Sequence, residues 1–504
     1  MDVLTALDNV LDVYVIGMIF AGAVIGIVFG SIPGLNTPVA IALMLPFTYQ
    51  MPIHASIGMI MGIYMGGISG GLISAILLRI PGTSAAIATV LDGYPMARKG
   101  QAAEALALGT FVSFVGGILS ALALLGLAPL LSRFALNFGP WEYLGVSLFA
   151  LSLVCTLMSG RMIKGFITVF IGLIAASVGT SPIDGRPRLT LGMPAMLSGF
   201  DLVVVIIGIY AFSEIFGLPD RMRENPQTSD FVKKWFYFPK RENIFGQIGN
   251  MIRSAVLGII VGILPGIGAT VAGMLAYGQA KRFSKYPEKF GTGIPDGLVA
   301  SETANNAVTG GALIPALVLS VPGDPSTAII IGALLIQGIQ CGPLLVVQEG
   351  VLFQTIVLCV FIANIAMYLV QAGTIRWTAR IVTIPKEILM PLIVVFCCLG
   401  AFTVNNRMFD LHALLFFAVL GYLLQENDYP LMPIILAYVL GPLIEQYYRR
   451  TLMYYDSFSE ALFQYSFGSV FFVLSFALPV ASILLNHPAV RRKLGLRQLM
   501  DPSQ

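Results

Sequence analysis

Residues 30–46 read GSIPGLNTPVAIALMLP, with three prolines, two glycines, an asparagine and a threonine set into an apolar run. Proline removes a backbone donor and blocks a continuing helix, whereas glycine admits conformations closed to other residues. A helix broken inside hydrocarbon leaves N–H and C=O groups unpaired. That is tolerated only where the irregular backbone is buried in protein or lines a wet cavity. The reading of this stretch therefore separates an ordinary loop from a break built into a membrane helix.

Composition favours the membrane. The chain is 57% hydrophobic and 11% charged, with a mean hydropathy of +0.85, against roughly 25% charged residues in a soluble domain. Apolar segments approaching the ~20 residues of a full span recur from Val13 almost to Leu485, about twelve times. The expected fold is an all-α polytopic membrane protein. A net charge of +3 without a basic stripe interleaved with aromatics leaves no footprint for nucleic acid. The cysteines lie in or beside apolar segments with no metal-ligand spacing, and read as small core residues. The N-terminal MDVLTALDNVLDVY has no Lys or Arg, so it lacks the basic region of a cleavable signal and is expected to be retained.

The break has a second copy. GIVFGSIPGLNTPVA at 26–40 aligns without gaps on GIIVGILPGIGATVA at 258–272, GLISAILLRIPG at 71–82 resembles ALIPALVLSVPG at 312–323, and PWEYL at 140–144 resembles PKEIL at 385–389. The matches keep their order at offsets of 232, 241 and 245. This predicts two homologous membrane repeats, 13–218 and 246–446, joined by a basic linker at 219–245 and followed by a hydrophobic segment and basic tail at 447–504. No Lys or Arg precedes Arg79, whereas the linker holds Arg221, Arg223, Lys233, Lys234, Lys240 and Arg241. The positive-inside rule puts the linker in the cytoplasm. The repeats then have inverted topology, with re-entrant or broken helices. Asn250–Gln279, with basic residues at both ends, reads as a hairpin with Pro265-Gly266 at its tip, and Trp141, Trp235 and Trp377 as interfacial anchors.

Broken helices present N-terminal dipole ends to anions and free carbonyls to cations. The candidate binding residues follow from the four breaks: Pro33, Gly34, Asn36 and Thr37; Pro81, Gly82, Thr83 and Ser84; Gly266, Gly268 and Thr270; Gly323, Asp324, Ser326 and Thr327. A sodium ion near Asn36, Thr37 and Gly266 is one expectation. Thr83 and Asp324 also suit helix N-caps, with Pro325 at a first helical position. The polar stretch ASETANNAVTGG at 300–311 adds Asn305, Asn306 and Thr309, together with Glu302, which is costly in a membrane and must face a cavity, a partner or water. An interruption at Gly310-Gly311 would bring the two amides towards the cavity.

DGYPMARKG at 92–100, SPIDGRPRLTLG at 181–192, IGIYAFSEIF at 207–216, SETANNAVTGGALIP at 301–315 and VPGDPSTA at 321–328 resemble the large membrane subunit of the tripartite tricarboxylate transporters. The resemblance runs from about Gly17 to Tyr447. It implies secondary active import of carboxylate anions across the bacterial inner membrane, driven by a sodium or proton gradient. It also implies a small membrane subunit and a periplasmic solute-binding protein as partners, and no cofactor beyond the coupling cation. Ser181 departs from the acid expected there. An anion channel and an intramembrane enzyme are the alternatives, the latter disfavoured by three scattered histidines, His54, His412 and His487, without a ligand motif.

Overall fold

The computed structural model describes residues 2–33, 35–157, 161–181, 183–212, 237–374, 377, 386–455, 457–463 and 466–486. Gly34, most of the basic linker, Trp235 and the C-terminal tail lie outside the described residues. Helices α1 (Asp2–Leu11), α2 (Val13–Ser31), α3 (Thr37–Thr48), α4 (Ile53–Leu78), α5 (Thr89–Met96) and α6 (Ala102–Ala135) form the first part. α7 (Pro140–Leu157), α8 (Met162–Ala176) and the short α9 (Leu202–Ile206) follow. Beyond the linker come α10 (Ile248–Ile263), α11 (Gly268–Phe283), α12 (Pro295–Leu319), α13 (Pro325–Ile336), α14 (Gly350–Gly373), α15 (Lys386–Asn405), α16 (Met408–Glu426), α17 (Met432–Tyr454) and α18 (Phe467–Asn486). Among the described residues, six helices are long and apolar enough to cross a membrane and six more are shorter apolar helices. The chain is an all-α polytopic membrane protein.

Glycines set how closely the helices approach. Gly22, Gly26 and Gly30 of α2 abut the carbonyls of Met59, Ile63 and Gly67 on α4, and Gly62, Gly66 and Gly70 of α4 abut those of Ile19, Ala23 and Ile27 on α2. Small residues every fourth position let two backbones touch, which is how membrane helices gain packing energy without a hydrophobic drive. The second half repeats the device, with Gly258 and Gly262 of α10 on the carbonyls of Ala304 and Val308 of α12. α12 is continuous through Gly310-Gly311, so the expected interruption is absent. Gly310 instead seats against Ser120 of α6 and Gly311 against Ile259 of α10, and the double glycine serves two close crossings.

By contacts the chain separates into two units, 1–137 with 200–427 and 138–199 with 428–504, so each draws on both sequence halves. The second unit holds α7, α8, α17 and α18, with a two-stranded ribbon, β1 (Gly179–Thr180) antiparallel to β2 (Pro187–Arg188). Trp141 is fully buried there among Phe458, Phe472 and Gly468, and its indole N–H donates to Ser469 Oγ at 3.1 Å. It is a core residue rather than an interfacial anchor, because Phe458, Phe472 and the Gly468 backbone close it off. Trp377 is exposed. Within SPIDGRPRLTLG, Arg188 pairs with Glu445 at 2.8 Å and Asp184 with Arg449 at 3.4 Å. The Ser181 hydroxyl, followed by the Arg186 backbone and Arg449, holds the exposed Asp184 carboxyl down at about 2. Ser181 therefore serves the turn, its Oγ also accepting from the Ile183 N–H at 3.4 Å.

Candidate functional site

Each Pro-Gly break follows a helix stop, and after the first and fourth the chain restarts under a side-chain cap. α4 ends with Arg79 in the left-handed conformation (φ 62°, ψ 17°) and α12 with Ser320 in the same one (φ 57°, ψ 25°). The offset of 241 that aligns their sequences maps the first onto the second. α3 restarts under Asn36, whose Oδ1 accepts from the Val39 N–H at 3.1 Å. α13 restarts under Asp324 in a capping box, Oδ1 accepting from the Thr327 N–H at 2.7 Å while the Asp324 N–H donates to Thr327 Oγ1 at 3.0 Å. α10 and α11 form the expected helix–break–helix, with Gly266 (φ 81°) and Gly268 (φ 70°) at the turn in the left-handed region that favours glycine.

The breaks meet in pairs. Gly82 lies against Gly30 and Gly71, its N–H donating to the Gly71 carbonyl at 3.2 Å, and Gly323 lies against Gly262 and Ala312. The same offset carries Gly82 to Gly323 and Gly71 to Ala312, so the two cradles are built alike. The Gly266 N–H donates to the Gly323 carbonyl at 2.9 Å, fastening the third break to the fourth. Contacts between the halves are reciprocal. Tyr64 of α4 donates its hydroxyl to Asp324 Oδ2 at 2.7 Å, and Asn305 of α12, its counterpart at +241, donates Nδ2 to the Ala85 carbonyl at 3.2 Å in the turn after the second break. α3 packs on α13 and α11 on the Ser84–Ala86 turn, again exchanging halves.

The cradles differ in chemistry. Around the first, Thr37 Oγ1, Ser74 Oγ and Thr83 Oγ1 are buried and have no hydrogen-bond partner. They stand over Gly67, Gly82 and Gly71 respectively, where an added Cβ would meet the hydroxyl. The glycines thus let three otherwise unused hydroxyls pack against backbone, those of Thr37 at the start of α3, Ser74 of α4 and Thr83 after the second break. The second cradle carries Asp324, with both oxygens bound. Pro33, Gly82, Thr37, Thr83, Gly323, Asp324, Ser326 and Thr327 are buried and Asn36 and Pro81 partly so, whereas Ser84 is exposed and Thr270 half-exposed. Of the three residues considered for sodium, Asn36 uses Oδ1 as a cap and Gly266 its N–H on Gly323, so the side-chain oxygen left without a protein partner is that of Thr37.

A polar cluster lies beside the cradles. Glu302 is fully buried on α12. Its Oε1 accepts from the Thr89 hydroxyl and from Asn305 Nδ2 at 3.3 Å, and its Oε2 from Ser113 Oγ at 2.9 Å and Asn306 Nδ2 at 3.5 Å. Asn306 Nδ2 also donates to Asn305 Oδ1 at 2.6 Å, while Thr309 turns its hydroxyl back onto the Asn306 carbonyl at 2.7 Å within its own helix. One turn beyond Thr89, the buried Asp92 gathers the N–H groups of Gly291, Gly293 and Ile294 on Oδ1 at 3.0, 2.7 and 3.1 Å. Past it opens a cavity of about 520 Å³ whose walls include Arg79, Tyr94, Arg98, Lys99 and Gly291. None of its three cations makes an ion pair among the described residues. Sequence reasoning missed Tyr64, Ser74, Thr89 and Ser113. The internal repeat offered a signal for Tyr64, since +241 lands on Asn305, but none marked the others.

The profile of the Tripartite tricarboxylate transporter TctA family matches residues 16–436. An uncharacterized 52.8 kDa protein in the TAR-I ttuC' 3' region of Agrobacterium vitis is 34% identical over 435 residues, 86% of each chain. A second Agrobacterium vitis protein, from the TAR-II ttuC' 3' region, is 36% identical over 196 residues, 39% of this chain and 81% of its own. No solved structure matches.

Proposed function

Because the chain belongs to the TctA family of the tripartite tricarboxylate transporters, we propose that it imports carboxylate anions across the bacterial inner membrane. Import is coupled to a cation gradient, with a small membrane subunit and a periplasmic solute-binding protein as partners. The observation that carries this reading is the first cradle, where Thr37 at the N-terminal end of α3, Ser74 of α4 and Thr83 after the second break offer buried, unpartnered hydroxyls. Hydroxyl donors and a helix N-terminus hold a carboxylate without a fixed cation. The cavity lined by Arg79, Arg98 and Lys99 supports an anionic cargo, as a basic vestibule raises the local concentration of anions.

The test begins with a screen of di- and tricarboxylic and aromatic acids against the partner binding protein, then measures uptake of the acid bound there in proteoliposomes. Each of Thr37→Val, Ser74→Ala and Thr83→Val is expected to raise the half-saturating concentration about tenfold, the worth of one buried hydrogen bond. Ser84→Ala, at an exposed position, should leave it unchanged. Unaltered half-saturation in all three would remove the anion from the cradle, and flux indifferent to any ion gradient would make the protein a channel.

The contacts of Tyr64 with Asp324 and of its counterpart Asn305 with Ala85, two residues beyond Thr83, the counterpart of Asp324, support two halves that each reach into the other's break; the basic linker supports their inversion. Single cysteines replacing Asp12 and Asn225, on a background without native cysteines, should label from the periplasmic and cytoplasmic sides respectively. Labelling of both from one side ends the inverted arrangement.

A further inference from the structure

We propose that Glu302 is the coupling-ion site and that the ion is a proton. The inference rests on the transport reading above and names the cation and the group that takes it. Glu302 is fully buried, and no ion pair reaches it among the described residues. Hydrogen bonds alone leave a buried, unpaired charge costly, so uptake of a cation or a proton by Glu302 is favoured there.

Ligand chemistry separates the two. Sodium is held by a shell of oxygens. Around Glu302 the two asparagines present their NH2 groups, Asn305 Oδ1 is occupied by Asn306, and the hydroxyls of Thr89 and Ser113 are the remaining side-chain oxygens in contact. A proton needs less. It bonds to one carboxylate oxygen, and the adjoining hydroxyl of Ser113 turns from donor to acceptor, its O–H rotating to donate to a carbonyl one turn back on α6.

Among the described residues the surroundings contain no competing partner. Elements packed on α12 carry His54 and Tyr64 (α4), Asp92 and Tyr94 (α5), Glu104 and Arg133 (α6), Arg253 (α10), and Tyr277, Lys281 and Arg282 (α11). α12 itself carries Asp296, and Asp324 caps α13. None makes a hydrogen bond or ion pair with Glu302 among the described residues. Asp92 is turned to the backbone of 291–294 and Tyr64 to Asp324.

Asn305 joins this site to the anion cradle. Its Nδ2 is shared between Glu302 Oε1 at 3.3 Å and the Ala85 carbonyl at 3.2 Å, in the turn that begins at Thr83. An ionised Glu302 draws the amide towards itself. A protonated one is a weaker acceptor and leaves the amide to Ala85, so proton loading tightens the turn that presents the Thr83 hydroxyl.

The experiment is infrared difference spectroscopy of the full chain in lipid bilayers, stepped between acid and alkaline pH. A carboxylic C=O band is expected to appear on acidification, to be unchanged when choline replaces sodium, and to be lost in Glu302→Gln. Asn305→Ala, which removes a donor to the ionised form, should shift the midpoint to higher pH. If the Gln variant does not fold, Glu302→Asp should move the band frequency. The proposal is overturned by a wild-type band that does not titrate, by the same band in Glu302→Gln, by an unshifted band in Glu302→Asp, or by sodium suppressing the band at constant pH. An unmoved midpoint in Asn305→Ala overturns the link to the cradle. The spectrum reads proton binding without transport, so failure of the anion reading leaves these outcomes distinct.

Discussion

Gly82→Leu and Gly323→Leu are each expected to abolish uptake. At Gly82 a Cβ would lie 2.6 Å from Ser74 Oγ and 3.0 Å from Gly71 Cα, and would collide with the Gly30 carbonyl. At Gly323 it would lie 2.6 Å from the Gly262 carbonyl oxygen and 2.8 Å from Ala312 Cα. Apart from Ser74 Oγ and Ala312 Cβ, the close neighbours are backbone of α2, α4, α10 and α12, whose own crossings are locked by glycine, so the strain cannot be relieved by side-chain movement alone. Overpacking a core costs about 1–3 kcal/mol and more when backbone must move, and here the displaced backbone is the cradle itself. Gly268→Ala provides the contrast. Its φ of 70° strains alanine, but nothing stands within 4 Å of the added carbon, so a loss of about 1 kcal/mol is expected. Uptake per inserted protein, with size-exclusion profiles in detergent, distinguishes the cases. Wild-type uptake in both leucine variants would show that the paired breaks are ordinary connections.

Asp92→Ala is expected to destabilise the fold by about 3 kcal/mol, the combined effect of a lost charge-assisted hydrogen-bond set and newly unpaired donors. Three backbone N–H groups of 291–294 converge on one oxygen of this fully buried side chain. Gly291 is exposed and finds water, whereas Ile294 lies deeper and does not, which holds the figure below three full penalties. Asn retains an acceptor at the same place without the charge, so Asp92→Asn should fall between wild type and Asp92→Ala. Thermal unfolding in detergent gives the order. Equal melting of Asp92→Ala and wild type would mean that the 291–294 loop is held by something else.

What the sequence determined by itself was set by local chemistry and by solvent. Apolar runs of near-membrane length, and Pro-Gly pairs that no helix can absorb, write the spans and the breaks into consecutive residues. The matched segments made them legible twice, and the structure ends α4 at Arg79 and α12 at Ser320 in the same left-handed conformation. Thr83 and Asp324 could be read as N-caps because capping is decided within a few residues, though Asp324 caps with its side chain and Thr83 does not. Their candidate ligand role was only partly legible, since Thr37 and Thr83 hold unused hydroxyls while Ser84 faces outward.

The tertiary structure decided which breaks meet and which polar groups are left over. Tyr64 finds Asp324, Asn305 finds Ala85, and Glu302 finds Thr89 and Ser113 across separations of 260, 220, 213 and 189 residues. No local pattern encodes such pairings, because periodicity can mark a buried face but cannot say which neighbour that face meets. The same limit explains Gly310-Gly311, where glycine serves two helix crossings rather than a break, and Trp141, buried among rings brought in from the distant C-terminal segment. In a membrane chain hydrophobicity selects the solvent, while close packing of small residues and satisfaction of buried polar groups select the partners.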